Sequence, residues 1–151
     1  MQVAGRAPRD VYEWQLTARA GEIRQWRRRA VSVVERWNAE TRAMELAAFG
    51  VTELLTNVIK HVADPHCHLL IAKEGRDFRI TVRDRSKEAP AVRVPDWDSE
   101  SGRGLWLLRE MVRDLGYICF PGGKAVWFRC PLGSTSPVPS GWRPGGACDG
   151  G

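Results

Sequence analysis

Apolar residues recur along this chain with two periods, and the changes from one to the other mark out its elements. Residues 11–16 read as a first strand, and residues 22–37 as a helix that buries Ile23, Trp26, Ala30, Val33, Val34 and Trp37 near i, i+3, i+7 and i+11. A second, longer helix is predicted from Thr41, which is placed to cap it, to about Val62, where Asp64-Pro65 stops it. Residues 66–73 and 78–83 then form a hairpin around Glu74-Gly75-Arg76-Asp77. Leu105, Leu108, Val112 and Leu115 return at helical spacing, and Gly116 is expected to end that helix in a turn. Two closing strands follow, at about residues 117–120 and 124–130.

Between these elements lie two segments of another character. Residues 87–101 hold two prolines, mixed charge and no periodicity, as expected of a mobile lid. The stretch from Pro131 is rich in Pro, Gly and Ser, and its composition predicts disorder, with Trp142 its one hint of a docking point. The expected organisation is an arm over residues 1–10, one folded domain over 11–130 and a tail over 131–151. A length of 151 residues suits one domain with a true core.

The polar positions inside the pattern carry the candidate chemistry. In Glu53-Leu-Leu-Thr-Asn57-Val-Ile-Lys60-His61 the side chains of Glu53, Asn57, Lys60 and His61 share a stripe roughly 100° wide, opposite Leu54, Leu55, Val58, Ile59 and Val62. Such a stripe is either a solvated helix face or one wall of a polar pocket. The run 78–84 alternates strictly, so Asp84 falls on the core face of Phe78, Ile80 and Val82. An inward carboxylate needs a hydrogen-bond donor, unless the strand ends at Arg83 and Asp84 caps a turn. In Ser101-Gly102-Arg103-Gly104-Leu105, two glycines precede a helix start, where free amides attract phosphate and the backbone can approach a ligand closely.

Taken in order, these pieces resemble the Bergerat-type ATP-binding fold shared by histidine kinases, gyrase B, Hsp90 and MutL. Glu53 to His61 is similar to that superfamily's first box, Asp84-Arg85-Ser86 to its second, and Gly102-Arg103-Gly104-Leu105 to its third. Gly122-Gly123-Lys124-Ala125-Val126-Trp127-Phe128 is similar to the closing glycine turn and strand. The small size and the Glu-Leu-x-x-Asn-x-x-x-His pattern most resemble anti-sigma factor serine/threonine kinases. One departure stands out. The second box usually reads Asp-x-Gly-x-Gly, whereas here Ser86 and Glu88 replace both glycines, so the turn under the base cannot use positive φ and takes another path.

The resemblance implies an α/β (α+β) two-layer sandwich, with helices on one face of a mixed, mostly antiparallel sheet, binding ATP and Mg2+. It assigns Asn57 as magnesium ligand, Glu53 as the base that accepts a proton from an attacking hydroxyl, and Asp84 as acceptor for the exocyclic amine of adenine. Gly102, Gly104 and Leu105 would line the phosphates. Arg103 would either add charge there or point outward, and Lys60 and His61 would flank the phosphates, with a purely structural hydrogen bond the alternative for His61. The implied function is an ATP-dependent serine/threonine protein kinase that phosphorylates an anti-sigma antagonist and binds a sigma factor, as a possible homodimer by analogy. The alternatives are an ATP-binding regulatory module without kinase activity and the catalytic piece of a two-component histidine kinase. The last needs an upstream phosphoacceptor histidine, yet the histidines are 61, 66 and 68.

Charge and cysteine usage narrow the setting. The net charge is +5. Arg27-Arg28-Arg29 lies on a helix whose Trp26 belongs to the apolar stripe, so the basic face lacks the exposed aromatics of a nucleic-acid binder and suits either solvent or an acidic protein partner. No apolar run nears the roughly 20 residues of a membrane span, and no signal peptide is apparent. Cys67, Cys119, Cys130 and Cys148 are scattered without a Cys-x-x-Cys pair, as expected of free thiols in the cytoplasm.

Overall fold

The computed structural model describes residues 9–86 and 103–133. Five strands form one sheet: β1 (Val11–Thr17), β2 (His66–Glu74), β3 (Asp77–Asp84), β4 (Asp114–Phe120) and β5 (Gly123–Pro131). Their order is β1-β2-β3-β5-β4, and every pairing is antiparallel, so among the described residues the mixed sheet of the sequence reading has no parallel part. Three helices, α1 (Ile23–Arg36), α2 (Thr41–His61) and α3 (Arg103–Met111), complete an α+β sandwich. The predicted lid over 87–101 and most of the predicted tail lie outside the described residues. Pro131, however, closes β5, and Leu132 is buried, its N–H bonded to the Arg76 carbonyl 2.8 Å away, so the folded part runs slightly past residue 130.

Alternation decides which face of the sheet is dry. Cys67, Leu69 and Ile71 of β2, Phe78, Ile80 and Val82 of β3, and Val126, Phe128 and Cys130 of β5 are all buried beneath the helices. α1 adds Trp26, Ala30, Val33 and Val34, with Trp37 just beyond its end, and Trp26 meets Trp14 of β1 edge to face at 5.8 Å. Asn38 joins α1 to α2 at φ 61, a left-handed conformation that asparagine tolerates better than most residues. Glu40 rather than Thr41 occupies the cap position of α2, because its extended backbone makes the turn and Thr41 is already helical. The β2–β3 connection is tighter than the four residues expected: Gly75 and Arg76 alone make it, with Gly75 at φ 64.

Two further expectations yield to the sheet. The helix expected to run through Leu115 stops at Met111, and Leu115 lies in β4 opposite Phe128. Gly116 is not in a turn but in the same strand, facing Trp127, where a Cβ would stand 2.6 Å from the indole. A leucine at that spacing satisfies helix and strand alike, and pairing with β5, reinforced by the Arg129–Asp114 ion pair, selects the strand.

α2 lies across β3 and β5. Its middle comes close because Gly50 carries no side chain: a Cβ there would sit 2.1 Å from the Phe128 ring. That approach sets the height at which the following turns present Glu53 and Asn57 to the sheet.

Candidate functional site

On α2 the predicted stripe divides by depth. Asn57 is buried, Glu53 is half-buried, and Lys60 and His61 are exposed in the last turn, where positive charge suits the helix C-terminus. Burial raises the Glu53 carboxyl above its ordinary value, and the charge of Lys60 opposes the shift. A partly desolvated carboxylate holds a proton more readily than a solvated one, which suits a base.

Glu53 also reaches the third motif. Its carboxylate lies so close to the first turn of α3 that a Cβ on Gly104 would stand 1.6 Å from Oε1 and 2.4 Å from Cδ. Only a residue without a side chain allows this contact, so the glycine brings residues 51 positions apart onto one wall. Gly102 lies outside the described residues, and of Arg103 only the backbone is described. The Leu105 side chain belongs to the core, 4% exposed, so a ligand could use only its backbone.

Asp84 ends β3 on the core face and is 4% exposed, which settles the choice between an inward carboxylate and a solvated turn in favour of the first. It still serves the turn, since Oδ1 accepts the Ser86 N–H at 2.8 Å. Its main partner lies outside the three motifs. Lys124, the second residue of β5 and opposite Asp84 in the register, is 2% exposed and sets its ammonium 2.9 Å from Oδ2 and 3.2 Å from Oδ1. Only the Oδ1 approach is aligned as a hydrogen bond, so Oδ2 is ion-paired yet remains a buried acceptor without an aligned donor. The signal was present in the sequence, because Lys124 alternates in phase with Val126, Phe128 and Cys130.

Arg85, the residue after Asp84, forms an ion pair at the surface. Arg85 donates to Asp64 at 2.7 Å, and Asp64 also accepts from the His66 backbone at 3.0 Å and lies 2.7 Å from its ring. The His66 contacts first, and Arg85 after them, hold the Asp64 carboxyl at about 2. Among the described residues no group of three or more His, Cys, Asp or Glu side chains is arranged to hold a metal, and no helix is long and apolar enough to cross a membrane. The oxygens of Glu53 and Asn57 are hard donors suited to magnesium held jointly with phosphates.

An open antiparallel sheet under helices, with an acid and an amide on the long helix and a second acid at a strand end, defines a nucleotide-binding sandwich of the Bergerat type. The chain belongs to the histidine kinase-like ATPase domain family, which matches residues 16–130. A 58-residue stretch, 38% of the chain, is 36% identical to the sensor histidine kinase YvfT of Bacillus subtilis and spans 14% of that protein. The fold is similar to that in the crystal structure of the RsbU and RsbW domains of Rv1364c from Mycobacterium tuberculosis. That likeness has a TM-score of 0.64 at 18% identity, over 84% of this chain and 33% of the other. The chain therefore spans only a minor part of either relative.

Proposed function

We propose that this chain binds ATP with magnesium and transfers the γ-phosphoryl group to a serine or threonine of a protein partner, in the manner of an anti-sigma factor kinase. The observation that carries this reading is the Glu53 carboxylate lying against Gly104, since it sets a candidate base where the phosphates would end. Glu53 would take the hydroxyl proton, aided by its raised proton affinity. The Asn57 carbonyl would hold the magnesium, Asp84 Oδ2 would accept from the adenine amine, and the amides of Gly104 and Leu105 in the first turn of α3, together with that of Gly102, would receive phosphate oxygens. Lys60, and less directly His61 and Arg103, would add positive charge near the phosphates. Magnesium would supply charge neutralisation at the transferring group, and the protein's share is mostly positioning.

The partners in this reading are an anti-sigma antagonist and a sigma factor, in the cytoplasm, without direct contact to nucleic acid and with a second copy of the chain in a homodimer. A regulatory module that binds ATP without transfer is the second reading. The Asp64–Arg85 pair favours it, because it ties Arg85, at the start of the second motif, to the turn after α2.

The two are separated by incubating the protein and its Glu53→Gln variant with γ-labelled ATP and a cell extract. An acid-stable phosphoester made by the first and not the second supports the kinase. ATP binding without any labelled product supports the module, and an acid-labile phosphoramidate contradicts both.

A further inference from the structure

We propose that the face of the sheet turned away from the helices carries an anion pocket, in which Arg83 and Arg85, with His66, His68 and Thr17, take the phosphate of a small phosphomonoester. This site is separate from the nucleotide site proposed above and does not depend on it.

Alternation and register build the pocket. Leu16, Cys67 and Val82 turn to the core, so Thr17, His66, His68 and Arg83 turn the other way. Thr17 lies opposite His66, and His68 lies between Gln15 and Arg83. Arg83 is exposed, and its guanidinium sits 4.9 Å over the Phe120 ring, which restrains it. These side chains, with Arg85 just past the end of β3, line one open cavity of about 420 Å3. That volume falls within the roughly 300–1,000 Å3 of small-ligand sites.

The charge around the cavity is not balanced from within. Asp64 is already shared by Arg85 and His66. Glu13 faces His68 but is 60% exposed, and its Oε2 stands 3.8 Å from Nε2, too far for a hydrogen bond. Asp84 also borders the cavity, yet its carboxylate is held on the core side, 2.9 Å from the Lys124 ammonium. Among the described residues Arg83 meets the Phe120 ring and no carboxylate, so its positive charge is left over. Two guanidinium forks, two imidazoles and a hydroxyl offer more donors than the two oxygens of a carboxylate use. They match the three terminal oxygens of a phosphomonoester. The cavity is larger than a phosphate group alone requires, which leaves room for a remainder the size of a sugar.

The experiment follows side-chain and amide resonances of the full chain, at constant pH and ionic strength, during titration with ribose 5-phosphate, ribose and a phosphoserine peptide. Ribose 5-phosphate is expected to shift His66, His68 and Phe120 saturably, and ribose to leave them in place. Arg83→Gln is expected to weaken that binding about tenfold, as loss of one charge-assisted hydrogen bond does. Arg83→Lys keeps the charge without the fork, so it serves should the glutamine variant fail to fold, and a several-fold loss is expected of it. Shifts confined to Gly104 and the start of α3 overturn the pocket. Equal responses to ribose and its phosphate overturn it as well, and so does a folded Arg83→Gln variant that binds as the parent does. A peptide that binds about tenfold tighter than the sugar phosphate, or more, overturns the assignment to a small molecule. A chain that binds no ATP yet shows the His66 and His68 shifts sinks the proposed function and leaves this pocket standing.

Discussion

Replacing Gly50 by alanine tests the packing that sets the height of α2, and its outcome can be worked from the structure. In an open helix the change stabilises by roughly 0.8–1 kcal/mol, since alanine is the better helix former. Here the new methyl would stand 2.1, 2.3 and 2.8 Å from Cζ, Cε1 and Cε2 of Phe128, well inside the roughly 3.5–4.0 Å of a carbon–carbon contact. The ring has no room to retreat. It is fully buried, and Phe78 meets it edge to face at 6.1 Å on the sheet. Overpacking of this kind costs about 1–3 kcal/mol, and with three ring atoms struck the upper part of that range applies. The net expectation is a loss of about 2 kcal/mol, or a fall in melting temperature of roughly 8 °C for a domain of this size. Urea unfolding should show a lower midpoint with an unchanged slope. ATP affinity should fall as well, because α2 must lift and carry Asn57 with it. A variant as stable as the parent, or more stable, would refute the close approach of α2 to β5.

Other perturbations test other residues. Glu53→Gln should keep nucleotide binding and lose transfer; in the parent, the rate should decline on the acid side at a higher pH than an ordinary glutamate would give, because the base must be deprotonated and burial raises its value. A pH–rate profile without that displacement removes Glu53 from the role. Asp64 sits at about 2, below its ordinary 3.8, so its contribution to stability is present above the ordinary value and is lost as pH falls through the lower one. Asp64→Asn should therefore melt at lower temperature than the parent at pH 7, with the gap closing towards pH 2; a gap independent of pH would contradict the Asp64–His66–Arg85 cluster. Burial pushes the thiols of Cys67 and Cys130 to about 11 and about 12, whereas Cys119 is exposed. Alkylation at pH 8 with peptide mapping should modify Cys119 at once, and Cys67 and Cys130 only in urea.

Much of the fold could be read from local pattern, because β1, α1, α2 and the β2–β3 hairpin each carry a clean period and a local stop signal. The strict alternation of β3 was enough to turn Asp84 inward. What escaped were contacts between distant residues. The partner of Asp84 is 40 residues away, and neither strand announces its pairing with the other. The end of α3 is not decided locally, because Leu115 fits a helix face and a strand face equally, and the choice between them is made by Phe128 and Arg129 on β5. Likewise, two glycines before a helix say nothing locally about Glu53; the closeness of Gly104 to that carboxylate exists only once α2 and α3 have packed. The three motifs were therefore visible as pieces, while the meeting of the first with the third, through Glu53 and Gly104, depended on a tertiary contact.

Under the proposed function, Asn57, Glu53, Asp84 and the start of α3 would enclose one purine triphosphate with its metal. Calorimetric titration of the full chain with ATP, with and without magnesium, reads it most directly. Saturable binding at one site per chain is expected, and it should weaken strongly when magnesium is removed or when Asn57 becomes alanine. No heat of binding from a folded chain, or binding indifferent to both changes, would contradict it.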